Sequence, residues 1–161
     1  GLGQSVWFIL QSGVSLGKYR GRHFVYGYKR WNVADSTSSQ IGYFDDLTGS
    51  QFGEVTLWEF STQINYNESR GAIINELELV GFNGAIELGK EPQIATSYSL
   101  DGRSWSQDRF ISAGKIGETL KRLRWLRQGK LSNMRIQRFR GDSSAHVSFA
   151  RLEANIEPLA Y

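Results

Sequence analysis

The chain has 161 residues and a mass of 18.2 kDa, which is typical of one domain or of one domain with an appendage. Its hydrophobic content of 40%, with 13% aromatic residues, is enough for a packed core and excludes global disorder. The absence of cysteine excludes disulfides and cysteine nucleophiles, and no apolar run approaches the ~20 residues that span a bilayer.

The net charge of +3 is unevenly distributed along the chain. Residues Ser97–Arg140 contain eleven Lys and Arg against three acidic residues, whereas the residues before Ser97 contain seven basic and ten acidic ones. A basic block on a nearly neutral body indicates a local surface for a partner, or simply a solvated face.

The N-terminal third predicts short strands separated by turns. Eighteen glycines and two prolines, with aromatic residues throughout, are typical of an all-β chain. Ser5–Leu10 and His23–Trp31 are rich in branched and aromatic residues and are predicted to be strands. Ala34–Gln40 is a predicted polar loop, and Ile41–Ser50 a short strand followed by a turn.

Alternation of apolar and polar residues becomes clearer after Glu54. In Ile73–Phe82 the apolar residues alternate with Glu76 and Glu78, which predicts a half-buried strand with both glutamates in solvent. Pro92–Leu100 is a predicted strand that ends at an Asp-Gly turn. Two more strands are predicted at Met134–Arg140 and His146–Ile156.

The segment Thr119–Gln128 fits two structures. As a short basic amphipathic helix it would end at Gly129. As a strand it would place Leu123 and Trp125 on one side and Arg122 and Arg124 on the other. The spacing alone does not decide between them.

No set of catalytic residues assembles in the sequence. His23 and His146 lie in predicted strands without metal-ligand spacing, and no glycine-rich loop follows a strand and opens a helix. We therefore expect no enzymatic activity, no cofactor and no metal site.

Asp101, Gly102 and Trp105 are predicted to form a structural turn. In the segment Ser99–Trp105 the aspartate can accept backbone N–H bonds while the tryptophan folds back onto the hairpin. The segment is similar to the Asp-box hairpins of β-propellers, which are structural turns.

Three motifs in fixed order resemble the packaged-DNA stabilisation proteins, the tail hub proteins of short-tailed enteric phages. They are Asp101–Ser106 (DGRSWS), Gly114–Glu118 (GKIGE) and Lys121–Gly129 (KRLRWLRQG). The family has a similar "DGGRTWS" turn followed by "LGKIGEY" and "RVRWRRLG" segments. Here one glycine of the turn is missing, and Leu126 replaces a residue that is commonly basic.

The resemblance implies an all-β virion protein, either an antiparallel β-sandwich or β-propeller-like blades. Such hubs lie in the tail, help to close the portal channel and retain packaged DNA, and form a homo-oligomeric ring assembled in the host cytoplasm. The implied partners are the portal adaptor ring, the tail plug or needle and the tailspike, with no membrane contact. The family is longer than this chain, so residues 1–50 are expected to adjoin a missing N-terminal part and residues 51–161 to form the C-terminal antiparallel β domain. The resemblance also favours a strand for Thr119–Gln128.

Five arginines are candidates for docking neighbouring subunits, because guanidinium groups suit carboxylate-bearing partners. They are Arg122, Arg124, Arg127, Arg135 and Arg138. Two other functions are consistent with the residues. One is a nucleic-acid-binding β module that uses residues 115–140, with Trp105, Trp125 and Phe139 available for stacking on bases. The other is a carbohydrate-binding β-sandwich. Direct contact with DNA is left open.

Overall fold

The computed structural model describes residues 8–45, 48–68, 70–85, 91–141 and 146–159. These residues form strands and turns without a helix, so the all-β prediction is confirmed. In the described part of the chain, no helix is long and apolar enough to cross a membrane. The chain divides into two compact units, Gly1–Leu57 and Trp58–Tyr161, whereas the sequence predicted the division after Ser50.

The first unit consists of short antiparallel strands. Strands β3, β4 and β5 form a three-stranded sheet in that order, and β1–β2 and β6–β7 are separate two-stranded pairs. The strands are β1 (Gln11–Ser12), β2 (Gly17–Lys18), β3 (Gly21–Gly27), β4 (Arg30–Asp35), β5 (Ile41–Tyr43), β6 (Ser50–Gln51) and β7 (Glu54–Val55).

The strand predicted at His23–Trp31 is wrong, because a turn interrupts it. Tyr28 and Lys29 separate β3 from β4 and both have positive φ, 55° and 61°. Positive φ at both central residues defines the tight turn that suits a two-residue β-hairpin, and this turn normally carries Asn or Gly. Neither residue is present here, so the turn has no sequence signal. Phe8–Leu10 also lie outside any strand, and the rest of the strand predicted at Ser5–Leu10 is outside the described residues.

The buried side chain of Asp35 connects Arg20 to the loop after β4 in the first unit. Both oxygens of Asp35 accept from Arg20, with Nε at 3.1 Å and Nη2 at 2.6 Å. The same carboxylate accepts from the Thr37 amide at 3.0 Å and from the Ser38 hydroxyl at 2.6 Å. These bonds, led by the Arg20 guanidinium, hold the pKa of Asp35 well below its usual range.

The second unit contains two antiparallel sheets. A five-stranded sheet has the order β12-β11-β14-β8 with β9 also paired to β14, and a smaller sheet has the order β13-β10-β15. The strands are β8 (Trp58–Ser61), β9 (Asn65–Tyr66), β10 (Ala72–Ala85), β11 (Gln93–Ser99), β12 (Arg109–Ser112), β13 (Leu123–Leu131), β14 (Met134–Gly141) and β15 (His146–Pro158). Thr119–Gln128 thus contributes to a strand, and the helical alternative is wrong.

The two sheets pack face to face around one apolar core. Leu77, Leu79, Leu123 and Trp125 line the smaller sheet, and Phe139 faces them from the larger one. The Trp125 and Phe139 rings lie 5.5 Å apart between centroids, and neither side chain is accessible to solvent by more than a few per cent. This is the two-layer arrangement of a β-sandwich.

Candidate docking surface

The outer face of the smaller sheet carries two diagonal arginine–glutamate pairs. In the β10–β13 register Glu78 lies opposite Arg124, and Glu76 lies opposite Leu126. Each ion pair joins residues at diagonal positions of the two strands and not directly opposite ones: Arg122 binds Glu78, and Arg124 binds Glu76. Residues on the same face at diagonal positions are within reach of long side chains, so the alternation of β10 and β13 creates this charged face directly.

Both pairs have the two-bond geometry of a guanidinium fork on a carboxylate. Arg122 donates from Nε to Glu78 Oε1 at 2.6 Å and from Nη2 to Oε2. Arg124 donates from Nη2 to Glu76 Oε2 at 2.7 Å and from Nε to Oε1. The arginine hydrogen bonds lower the pKa of each glutamate, and the glutamates raise the pKa of each arginine. The four groups are therefore all charged at neutral pH.

The paired arginines are still accessible from outside. The side chain of Arg122 is 60% exposed and that of Arg124 is 39% exposed, whereas Leu123 and Trp125 between and beside them are buried. The Trp125 indole N–H donates to the Arg109 carbonyl at 2.9 Å, which fixes the tryptophan inside the core. The strand therefore points its arginines outward and its large apolar residues inward.

Arg127 lies on the same strand at an irregular position. The β10–β13 register shifts beside it, its φ is 55°, and its side chain is exposed. Its carbonyl accepts from Arg109 Nη1 at 3.0 Å. A bulge of this kind turns a side chain out of the regular ladder, so Arg127 projects separately from the two paired arginines.

Arg135 is not a surface residue, and its prediction as a docking contact is wrong. Its side chain is fully buried between the sheets. The guanidinium donates to Gln137 Oε1 at 3.0 and 2.9 Å and to the Gln128 carbonyl at 2.7 Å, and it lies 3.9 Å from the centroid of the Tyr98 ring. Burial lowers the pKa of Arg135 to about 10, which still leaves it charged at neutral pH.

Arg138 lies on the outer face of the larger sheet, not beside Arg122 and Arg124. Its guanidinium stacks 4.1 Å from the centroid of the Trp105 ring and donates from Nε to the Ser97 hydroxyl at 3.1 Å. Two carboxylates approach it, Glu59 at 3.6 Å and Asp108 at 3.8 Å. The five predicted arginines therefore occupy two outer faces, a bulge and the interior.

The turn around Asp101 forms a closed hydrogen-bond network. Asp101 Oδ1 accepts from the amides of Arg103 and Ser104, each at 2.8 Å, and Gly102 has a φ of 72°. These bonds, led by that of the Ser104 hydroxyl, hold the pKa of Asp101 well below its usual range. Trp105 is half-buried beneath Arg138 and does not enter the apolar core.

Comparison with family models assigns both units. Residues 57–157 match the model described as bacteriophage P22 Gp10, beta-sandwich, which is more than half of the chain. The chain belongs to the bacteriophage P22 Gp10 family. Residues 1–49 match a second model of the same family, a phage stabilisation model described as bacteriophage P22 Gp10, beta-propeller. No curated protein matches the chain.

Membership in the Gp10 family confirms the resemblance to phage stabilisation proteins. The chain is an all-β structural protein of the phage tail. The beta-sandwich model covers the paired sheets that carry Arg122, Arg124 and Arg138.

The geometry argues against the alternative nucleic-acid site at residues 115–140 of this Gp10-family chain. Trp125 and Phe139 are core residues with 2% and 0% exposure, so neither can stack on a base. Trp105 is covered on one face by Arg138. The alternative function as a nucleic-acid-binding module required these aromatic residues to be accessible for stacking on bases. The strand predicted for Thr119–Gln128 already placed Trp125 on the side opposite Arg122 and Arg124, and the structure has that arrangement.

Proposed function

We propose that the chain is a non-catalytic component of a tail hub that helps to close the portal channel, retain packaged DNA and dock other tail proteins. The proposed partners are the portal adaptor ring, the plug or needle and the tailspike, with further copies of the chain completing a ring. Assembly would take place in the host cytoplasm.

The observation that carries this proposal is the exposed apolar surface of the first unit. Val25 and Tyr26 are adjacent in β3 and therefore lie on opposite faces of the sheet, yet they are 62% and 61% exposed. Ile41, in β5, is 78% exposed. Apolar surface of this extent marks contact with other protein, and a structural assembly supplies such contacts permanently.

The charged outer face of the smaller sheet supports docking in the second unit. Its Arg122–Glu78 and Arg124–Glu76 pairs present a fixed pattern of two accessible guanidinium groups, while the glutamate side chains that hold them are only 11% and 21% exposed. Such patterns determine orientation and exclude wrong partners more than they add affinity. We assign the docking role to Arg122 and Arg124, with Arg127 beside them. Arg138 is not included, because its side chain is only 14% exposed and is engaged by Trp105 and two carboxylates.

An exchange of charges separates docking from folding. In the variant Glu76→Arg/Glu78→Arg/Arg122→Glu/Arg124→Glu, each ion pair is retained with its direction reversed. We expect this variant to fold, because the core is untouched, but to enter phage tails poorly and to give particles that leak DNA. Normal incorporation and normal DNA retention would show that this face is only solvated.

A further inference from the structure

The hairpin β3–β4 carries a concentration of basic and aromatic residues that the charge count of the chain conceals. Between Gly13 and Ala34 there are five Lys or Arg residues and no acidic residue. The same stretch contains five aromatic residues, Tyr19, Phe24, Tyr26, Tyr28 and Trp31. The first unit is near neutral only because its carboxylates follow this stretch, from Asp35 onward.

Three of these cations are available to a partner. Arg22, Lys29 and Arg30 are exposed, and no carboxylate in the described part of the chain pairs with them. Arg20 differs, because Asp35 and Glu54 both bind it. The hairpin thus presents cations on both strands and at its tip.

The tip of the hairpin is held in a conformation that its residues disfavour. Tyr28 and Lys29 occupy the left-handed region, where side chains with a Cβ are strained. The Asn32 amide maintains it by donating to the Gly27 carbonyl at 3.1 Å and to the Arg30 carbonyl at 3.3 Å. The result is a Tyr28 side chain that is 94% exposed. Strained residues that the surroundings hold in place are concentrated at functional sites.

Aromatic and cationic side chains flank this tip on both faces of the sheet. Tyr26 and Trp31 form an edge-to-face pair with centroids 5.4 Å apart, and both are more than half exposed. On the other face the Arg30 guanidinium lies 4.0 Å from the centroid of the Tyr43 ring. These contacts make the hairpin end a preformed projection instead of a set of independent side chains.

From this arrangement we propose that the β3–β4 hairpin binds the phosphate backbone of duplex DNA, with Tyr28 and Lys29 at its tip. The major groove admits a two-stranded β-ribbon, and phosphates border it on both sides. Cations on both strands of the hairpin match that geometry. A protein surface carries charges of both signs, whereas the one carboxylate of this hairpin, Asp35, is buried and bound by Arg20, so it is not available to a partner's cation. The site is distinct from the basic segment at residues 115–140.

The turn itself supplies a variant that tests binding without risk to folding. Asn-Gly is the sequence best suited to a two-residue turn with two positive φ values. The double variant Tyr28→Asn/Lys29→Gly should therefore melt at the same or a higher temperature than the wild-type chain while losing one aromatic residue and one cation at the tip. Arg103→Gln removes one exposed cation from the second unit, outside residues 115–140, and serves as the matched control.

Binding is measured with the whole 161-residue chain and a fluorescent 20-base-pair duplex over a range of salt concentrations. For wild type we expect a Kd on the order of 10⁻⁵ M at physiological salt. The Asn-Gly variant should bind about tenfold more weakly, and its slope of log K against log salt should fall by about 1. Arg103→Gln should leave both quantities nearly unchanged.

Two outcomes would overturn the proposal. If the Asn-Gly variant binds the duplex as well as wild type does, the tip is not the site. If wild type binds poly-glutamate and not the duplex, the hairpin fits an acidic protein surface and not DNA. Neither outcome affects the docking function, which is measured by incorporation into tails.

Discussion

The two units of the chain bury their apolar residues to very different extents. In the second unit the sandwich encloses Leu123, Trp125 and Phe139 with almost no accessible surface. Among the described residues of the first unit, Val33 is the one buried hydrophobic side chain, and the polar Asp35 network lies next to it. A single three-stranded sheet has no second layer against which to bury both of its faces. The sequence of the second unit thus supplies its own core, whereas the first unit depends on surfaces outside it.

The largest expected effect tests that contrast by removing one phenylalanine from each unit. Phe139→Ala should destabilise the second unit by about 3–5 kcal/mol, because a fully buried aromatic ring leaves a cavity. Phe24→Ala, at a position 46% exposed in the first unit, should cost much less. Urea unfolding with hydrogen exchange resolved by peptide assigns each loss to its unit. Similar losses for the two variants would contradict the contrast.

Trp105→Ala tests how far the second unit depends on residues outside its core. Trp105 is half-buried and interacts with the Arg138 guanidinium at 4.1 Å. We expect a loss of about 1–3 kcal/mol, below that of a core aromatic residue. The control Trp105→Phe keeps a ring under Arg138 and should recover part of the loss. A loss as large as that of Phe139→Ala would place Trp105 in the core.

The strands of the second unit could be predicted from the sequence because alternation is strong there. Each of the strands predicted between Ile73 and Ile156 is present, and the glutamates of β10 lie on the outer face of the smaller sheet. The prediction that they are in solvent is wrong, because Arg122 and Arg124 cover them and leave Glu78 only 11% and Glu76 21% exposed. The choice of face in β14 could not be predicted. Arg135, Gln137 and Phe139 lie on one side, with Met134, Ile136 and Arg138 on the other, so both faces mix apolar and polar residues. Arg135 lies against the ring of Tyr98 on the neighbouring strand β11. This contact depends on the β11–β14 register, which the sequence of β14 alone does not specify.

For the proposed docking face, the sequence indicated the residue types and not their arrangement. Arginines alternating with Leu123 and Trp125 already indicated an outward-facing basic row. Their diagonal pairing with Glu76 and Glu78 depends on the β10–β13 register across about fifty residues of intervening sequence, which local patterns do not encode. In the first unit the Tyr28-Lys29 turn was missed for the opposite reason. Its residues are ones that such turns rarely use.

Reversing the charge of Arg122 and Arg124 compares the stability contribution of the surface of the second unit with that of its core. Arg122→Glu/Arg124→Glu places four carboxylates on one face of the smaller sheet, which should lower the melting temperature without unfolding the sandwich. The effect should be smaller than that of Phe139→Ala and should shrink at high salt, because the substituted side chains are 60% and 39% exposed. The compensating changes Glu76→Arg/Glu78→Arg should restore the melting temperature. A failure to restore it would mean that the arginines act through packing and not through charge.

The smallest effect is confined to acid and distinguishes two aspartates, one in each unit. Asp35 and Asp101 both have a pKa that is held below the usual range in the folded state. Each aspartate therefore contributes stability that is fully present above the unfolded-state pKa of ~3.9. That stability is lost as the pH falls from this value toward the folded-state pKa. Protonation of Asp35 releases Arg20 and the β3–β4 sheet, which has little other support. Protonation of Asp101 opens an exposed turn above an intact core.

The amide signals of Thr37 and Arg103 report each event, because each amide donates to the aspartate concerned. On titration from pH 6 to about pH 2 we expect the signals of the whole first unit to collapse together below about pH 4. In the second unit the sandwich should stay folded, and the signals that move should be those near the Asp101 turn and near Glu76 and Glu78, whose pKa values are also lowered. The variant Asp35→Asn should remove the acid sensitivity of the first unit and leave the second unchanged. Simultaneous loss of both units in acid would show that the first unit is held by more than its aspartate, and that the two regions do not differ in the way their burial indicates.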